Sequence, residues 1–425
     1  MNIFKGVNRK EVFLIILFEL GFGLKFNLIG EISISEVFLI IYFLTHFFTD
    51  SIRKNRDFKH IYYLYICLFL FQCLSELMVG NKLDNSLKGI SVTVVSFFHL
   101  YFLIKLFIKN KLLAMWALVG MLLRGYIWGG DISGDVDSAL SGEDATFLKF
   151  YIAPIITYII LIYSVIKPKK TTSAVFMYVG VFFIIAGARS SGGTVFLTGV
   201  ISWLILNKNR ISKKTVYKYS FLILAIGYSS YYIYVDYVMS GNIKSGNNQQ
   251  LFRAENPYNP INLLMVGRSE TFVGLQAFMD KPLWGYGSWK LDSETGYKYS
   301  ILRYDIQNSE SERMIFKSTD RIPCHSVIVG WGTYNGIFVF IMGLFIIIYT
   351  YKRGFQSLQV YDSMNIMLIF CLLQGCWHAL FSPPSHFRYS LPLYMAFSVV
   401  SYWKVKASES EVKYKNKLSV CNVCK

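Results

Sequence analysis

Residues 325–349 read HSVIVGWGTYNGIFVFIMGLFIIIY, a run in which His325 is the sole histidine and no Asp, Glu, Lys or Arg occurs. Coiled as a helix, an apolar block of that length matches a hydrocarbon core roughly 30 Å thick. It cannot be an isolated strand there, because lipid satisfies no backbone hydrogen bonds. Comparable blocks recur along the chain. Of its 425 residues, 54% are hydrophobic, 17% aromatic and only 16% charged, too little charge to cover a soluble protein of this size. The reading is an all-α polytopic integral membrane protein.

Working outward, spans are expected near 11–30, 32–49, 61–80, 89–108, 112–130, 150–166, 173–188, 193–206, 219–239, 325–349, 363–381 and 389–403, about 12 transmembrane helices. The second and eighth are short, and the first carries Glu19 and Lys25. Basic residues cluster in alternate connections. They run Lys5, Arg9 and Lys10, then Arg53 to Lys59, Lys105 to Lys111, Lys167 to Lys170, Lys208 to Lys218, and Lys352 with Arg353. The intervening connections are poorer in Lys and Arg, and the one from Asp131 to Asp144 is acidic. By the positive-inside rule both termini are then cytoplasmic in a multi-pass inner-membrane protein.

The formal net charge of +17 would suggest nucleic acid in a soluble protein, but here orientation in the lipid bilayer accounts for it. The first apolar block lacks a small-residue cleavage site and is expected to stay as a helix. Seven cysteines suggest no disulfide framework, and Cys421 and Cys424 lack the second pair that a metal site requires.

The organisation expected is helices 1–9 over residues 1–239, an outward segment over 240–324, helices 10–12 over 325–403, and a basic cytoplasmic tail over 404–425. The outward segment balances acidic and basic residues and is rich in Tyr, Trp and Phe. Its polar opening, 240–250, reads as a flexible lead-in. From Ser269 to Met279, Phe272, Leu275, Phe278 and Met279 recur at helical spacing, predicting an amphipathic helix ended by Lys281-Pro282. Loops this long with so many aromatics are usually functional.

Ionisable residues at membrane depth are costly and tend to mark function. Arg189, Glu76, Arg124 and Asp236 all fall toward the outward ends of their helices, whereas Glu19 lies nearer mid-depth with no evident role. A snorkelling anchor is the plain alternative for Arg189. Against that stand its outward position and its Ser- and Gly-rich surroundings. His325 heads a helical stripe containing Gly332, Gly336 and Gly343, and Gly332 with Gly336 forms a small-xxx-small pair for close helix approach. An imidazole there can accept a hydroxyl proton near neutral pH, though a satisfied interfacial His is the plain alternative.

His325-Ser326, nine residues, then Gly336 resembles the His-(Asn/Ser/Gln)-x9-Gly motif of the bacterial O-antigen polymerase and ligase superfamily. The family's small residue or Tyr three places after that Gly is Val339 here. Gly267-Arg268 with Pro282-Leu-Trp-Gly-Tyr-Gly287 resembles the family's loop motif, and Ala188-Arg189-Ser190 its Ser-Arg-type motif.

The resemblance implies a metal-independent integral-membrane glycosyltransferase that needs no cofactor. Its donor and acceptor would be oligosaccharides linked to undecaprenyl pyrophosphate at the periplasmic face, with a chain-length regulator protein as a candidate partner. Carried over, Arg189 and Arg268 would bind the donor's pyrophosphate through bidentate, charge-assisted contacts. His325 would activate the acceptor hydroxyl. Arg124, Trp284, Tyr286, Trp289, His386 and Arg388 are candidate substrate-binding residues. Polymerisation of repeat units is the favoured activity. An O-antigen ligase or protein O-oligosaccharyltransferase would use the same donor, and a glycan flippase is the alternative of another class.

Overall fold

The computed structural model describes residues 7–27, 30–128, 148, 152–186, 188–206, 225, 227–229, 231–241, 251–252, 254–297, 321–423. Helices α1 (Arg9–Gly21) and α2 (Ile34–His46) flank a short antiparallel ribbon, β1 (Lys25–Asn27) and β2 (Glu31–Ser33). Then come α3 (Arg56–Val79), α4 (Leu83–Lys109), α5 (Leu113–Trp128), α6 (Ala153–Ile166), α7 (Lys170–Ile185) and α8 (Arg189–Leu206). Later in the chain lie α9 (Pro260–Gly267), α10 (Ser269–Asp280), α11 (Val327–Ser357), α12 (Asn365–Phe381), α13 (His386–Tyr389) and α14 (Leu391–Val423). Apart from the ribbon, regular structure among the described residues is helical, as the apolar blocks required. Among the described residues three helices, α3, α4 and α11, are long and apolar enough to cross a membrane by length and composition.

Each expected span other than 219–239, much of which lies outside the described residues, corresponds to a helix. So do the acidic connection 131–144, the basic one at 207–218 and the lead-in 242–250 lie outside them. The first span is shorter than expected. α1 ends at Gly21 and the chain turns into β1, so its 13 residues rise only about 20 Å.

Local chemistry sets the helix boundaries. Ser33 and Glu36 form a reciprocal capping box at the start of α2. Asn55 caps α3 by accepting from the N–H groups of Asp57 and Phe58, and Gly80 ends it at φ 65° in the left-handed region. The core centres on α4, whose apolar stretch is 67% buried against 33% for α3, together with the first turns of α14. Outward faces stay apolar: Leu77 and Tyr178 are each 78% exposed. Apolar residues on both inward and outward faces are what a lipid-solvated bundle requires.

The stripe expected below His325 is interrupted. Gly336 adopts φ 79°, ψ −173° and breaks α11. The segment after Pro282 inserts at the break. Tyr286 N–H donates to Thr333 O (3.0 Å), Gly287 N–H to Tyr334 O (2.7 Å), and Ile337 N–H to Pro282 O (2.8 Å). The kink thus exchanges intrahelical bonds for loop bonds, leaving these backbone groups paired. A Cβ at Gly336 would sit 2.2 Å from Leu283 O, so only glycine allows this approach. Gly332 lets the Phe278 ring of the neighbouring helix α10 approach closely, as the small-residue pair suggested, whereas Gly343 faces Trp331 of α11 itself.

Glu76 fastens the same loop. Its carboxylate, 4% exposed, accepts from Ser288 N–H (3.1 Å), Asn335 Nδ2 (2.8 Å), Asn81 Nδ2 (2.6 Å) and Ser86 Oγ (3.2 Å). The sequence placed Glu76 among residues marking function; its bonds make it a structural clamp.

α10 forms where the amphipathic helix was expected and ends at Asp280, but it buries a different face. Thr271, Val273, Gly274, Ala277 and Phe278 are inward, while Leu275 and Met279 are exposed. Small residues win because α10 lies close on α11: Thr333 Oγ1 donates to Gly274 O (2.8 Å) and a Cβ on Gly274 would meet Cys324 Sγ at 2.9 Å.

Candidate functional site

At one end of the bundle a cavity of about 520 Å³ opens between α5, α8, α12 and the segments leading into α10, α11 and α14. Arg124, Arg268, His325 and His386, far apart in sequence, all line it. Among the residues lining it, Arg124 and Arg268 bring two guanidinium groups to the space. Ser190, Ser191 and Thr194 from the first turns of α8 form another wall. The positive end of that helix dipole adds to the anion preference.

Arg268 occupies the break between α9 and α10, its guanidinium 5.3 Å from the centre of the Trp377 ring of α12. Arg124, 13% exposed at its side chain, lies 5.6 Å from the ring centres of both Phe22 and Tyr389. Behind it sits the fully buried Glu19, with Oε2 3.7 Å from Arg124 Nη1 and Oε1 3.8 Å from His99 Nε2. Glu19, which had no role from sequence, is therefore the counter-charge that holds Arg124 at the cavity wall.

His325 precedes α11. Ser326 is the N-cap of α11, accepting from Val329 N–H at 3.1 Å, and Thr271 Oγ1 donates to His325 O at 3.0 Å. The His325 Nδ1–H donates to the Glu270 carboxylate of α10. In a neutral imidazole with Nδ1 donating, Nε2 is the nitrogen that carries the accepting lone pair. Across the cavity the rings of His378 and His386 stack at 4.0 Å with 15° between planes. His378 Nε2 lies 3.1 Å from Gln374 Nε2, and its Nδ1 lies 2.8 Å from Ser382 Oγ.

Other residues singled out from sequence lie elsewhere. Arg189 begins α8 beside the cavity-lining Ser190, but its guanidinium covers the Tyr234 ring at 5.6 Å and donates to Tyr234 OH at 3.0 Å. Gly192 next to it serves helix pairing instead of ligand access, since a Cβ there would lie 2.7 Å from Gly180 O of α7. Asp236 accepts from Tyr258 OH at 3.4 Å, away from the cavity. Arg388 is committed to an ion pair with the buried Glu36 and donates to Glu31 O (3.1 Å).

The three loop aromatics are packing elements. Trp284 stands beside Phe338, ring centres 5.7 Å apart, while Ser75 Oγ donates to its carbonyl at 2.7 Å. Tyr286 is buried against Tyr297, with 2.6 Å between hydroxyls. Burial, then hydrogen bonds to Asp280 and Tyr286, hold the Tyr297 phenol above its ordinary range. Trp289 covers Arg321, whose guanidinium carbon is 3.2 Å from the ring centre and whose pKa burial lowers. Aromatic content in a long loop does not distinguish sugar platforms from a loop's own core.

Sequence reasoning missed Glu270, Gln374, His378 and His99. Glu270 lies two residues beyond Arg268 and carried no spacing signal toward His325; the others sit inside apolar blocks read only as spans.

Fold and site together describe an all-α protein with membrane-length helices and a cationic, histidine-rich cavity at one end. Comparison with protein-family models and with curated protein sequences returned no match.

Proposed function

We propose that this protein is an integral-membrane glycosyltransferase that polymerises oligosaccharide repeat units carried on undecaprenyl pyrophosphate at the periplasmic face. The observation carrying this reading is the meeting of Arg268, Arg124 and His325 around one cavity. A pyrophosphate suits two guanidinium groups and a helix N-terminus, and a glycan hydroxyl suits an imidazole whose orientation is set by a carboxylate. The twelve-span topology, with 240–324 outward, belongs to the same reading.

In the transfer, the acceptor hydroxyl oxygen forms a bond to the anomeric carbon of the donor. Its proton passes to His325 Nε2. The bond between the anomeric carbon and the pyrophosphate oxygen breaks, and the electron pair leaves with the pyrophosphate. Arg268 and Arg124 stabilise that developing charge, as preorganised donors do in other group transfers. The family resemblance implies that no metal is needed.

A ligase or protein O-oligosaccharyltransferase would use the same donor. The flippase alternative draws on a different observation, the buried Glu19–Arg124–His99 group, because transporters place ionisable residues deep in the bundle. A gel profile of surface polysaccharide from a deletion strain separates these readings. Loss of the long-chain ladder with single-repeat-capped core retained supports polymerisation. Accumulation of lipid-linked polymer with bare core indicates a ligase. Failure to move a labelled lipid-linked repeat unit across the membrane indicates a flippase.

A further inference from the structure

The opposite end of α11 holds a second cavity, of about 620 Å³, between the N-terminus of α3, the last turns of α11 and the middle of α14. Tyr349 and Arg353 of α11 line it roughly seven turns from His325, so the two cavities lie at opposite ends of the bundle. Arg56, Asp57 and His60 come from α3, and Trp403 and Lys406 from α14.

The charges do not cancel. Asp57 is saturated: Arg353 Nη2 donates to it at 2.6 Å, Tyr349 OH at 2.7 Å and Trp403 Nε1 at 3.1 Å. That leaves Arg56 and Lys406, both exposed, as two cations over the space. Arg353 Nε is buried with no hydrogen-bond partner, an uncommon state for a guanidinium N–H. Asn55 already occupies the first N–H groups of α3, so side chains and not the helix terminus must hold a ligand here.

The flanking surface is apolar. His60 and Tyr349 stack at 5.8 Å. One turn further into the bundle from them, Tyr63 is 59% and Phe345 50% exposed. Cations at the rim of a cavity with bare apolar side chains on its bundle side match an anionic lipid, headgroup in the cavity and acyl chains along the helices.

We propose that this cavity binds an anionic phosphate group, that of a membrane phospholipid, through Arg56 and Lys406, on a platform organised by the Asp57–Arg353 pair. The site is independent of the polymerase reading.

The test uses full-length protein purified in neutral detergent and titrated separately with phosphatidylglycerol in mixed micelles, phosphatidylcholine and inorganic phosphate. Binding is read by native mass spectrometry and by the shift in thermal midpoint. The R56Q/K406Q variant is compared with K167Q/K169Q, which removes the same charge away from the cavity. Both substituted residues in the first variant are exposed, so its midpoint without ligand should match wild type. Phosphatidylglycerol binding weakened at least about fivefold in R56Q/K406Q, retained in K167Q/K169Q and not displaced by inorganic phosphate, supports the lipid site. Saturable inorganic phosphate binding lost only in R56Q/K406Q would support the phosphate site but assign it to a free anion. Equal binding by both variants, or equal affinity for phosphatidylcholine, would overturn it.

Discussion

Glu270 accepts a hydrogen bond from His325 Nδ1 although 55 positions separate the two in the chain. The contact exists because α10 lies along the start of α11, with Thr271 next to Glu270 bonded to the His325 carbonyl. A carboxylate on Nδ1 fixes the tautomer and steadies the imidazolium formed when Nε2 takes a proton. Glu270→Gln should therefore lower polymerisation by purified protein ~10- to 100-fold, and His325→Ala by on the order of 100-fold or more. The double variant should be no worse than His325→Ala alone. Additive losses would detach Glu270 from the role of His325.

The two cationic residues of the cavity should act on the donor. Arg268→Ala is expected to abolish polymer while membrane abundance stays at wild-type level, because its guanidinium lies at the cavity wall against the Trp377 ring. Arg268→Lys should restore little, since an ammonium cannot reproduce bidentate phosphate contacts. Normal ladders from Arg268→Ala cells would remove it from the mechanism.

Gly336→Ala tests the kink. Its φ of 79° is strained for any residue with a Cβ, and the added carbon would collide with Leu283 O. Destabilisation of about 2 kcal/mol or more is expected, visible as a lower thermal midpoint and poorer yield of monodisperse protein. Gly193→Ala, at a helical position where nothing lies within 4 Å of the added carbon, is the control and should not lower stability.

Glu76→Ala should behave as a structural lesion. It leaves Ser288 N–H and the Asn335 amide without their acceptor in a buried place, at roughly 3 kcal/mol. Glu76→Gln keeps one acceptor oxygen and should recover part of that. If Glu76→Ala instead lowered donor affinity at unchanged midpoint, the clamp assignment would fail.

Asp50 offers a pH readout outside the helices. Burial opposes its charge, but Lys105 Nζ (2.7 Å), the Ile52 N–H (3.0 Å) and Tyr101 OH (2.8 Å) outweigh burial and hold its pKa below the ordinary carboxylate value. A depressed pKa contributes stability above the unfolded-state pKa and loses it as pH falls through the folded-state value. Asp50→Asn should therefore be ~1–2 kcal/mol less stable than wild type at neutral pH. The two midpoints should converge as pH drops below about 4. A gap that did not narrow at all as the pH was lowered through the acid range would show that the carboxylate charge is not what the site uses.

Composition and apolar block length were enough to determine an all-helical chain with membrane-length segments, because lipid leaves backbone groups no partner outside a helix or barrel. Arg268 and His325, which the short motifs singled out, line one cavity together with Arg124 and His386. What the sequence did not reveal is which of several similar residues would point where. Arg388 and Arg268 look alike in one dimension, yet one is consumed by Glu36 and the other faces the cavity. Trp284, Tyr286 and Trp289 are candidates for sugar contact in the sequence, and the structure packs them against Phe338, Tyr297 and Arg321. The exposed face of α10 was misjudged because hydrophobicity favoured Leu275 and Met279, whereas close approach to α11 selected glycine and alanine. Helix formation is dictated locally by hydrogen bonding and the solvent; side-chain partnership depends on contacts between segments far apart in the chain, and only the tertiary structure decides those.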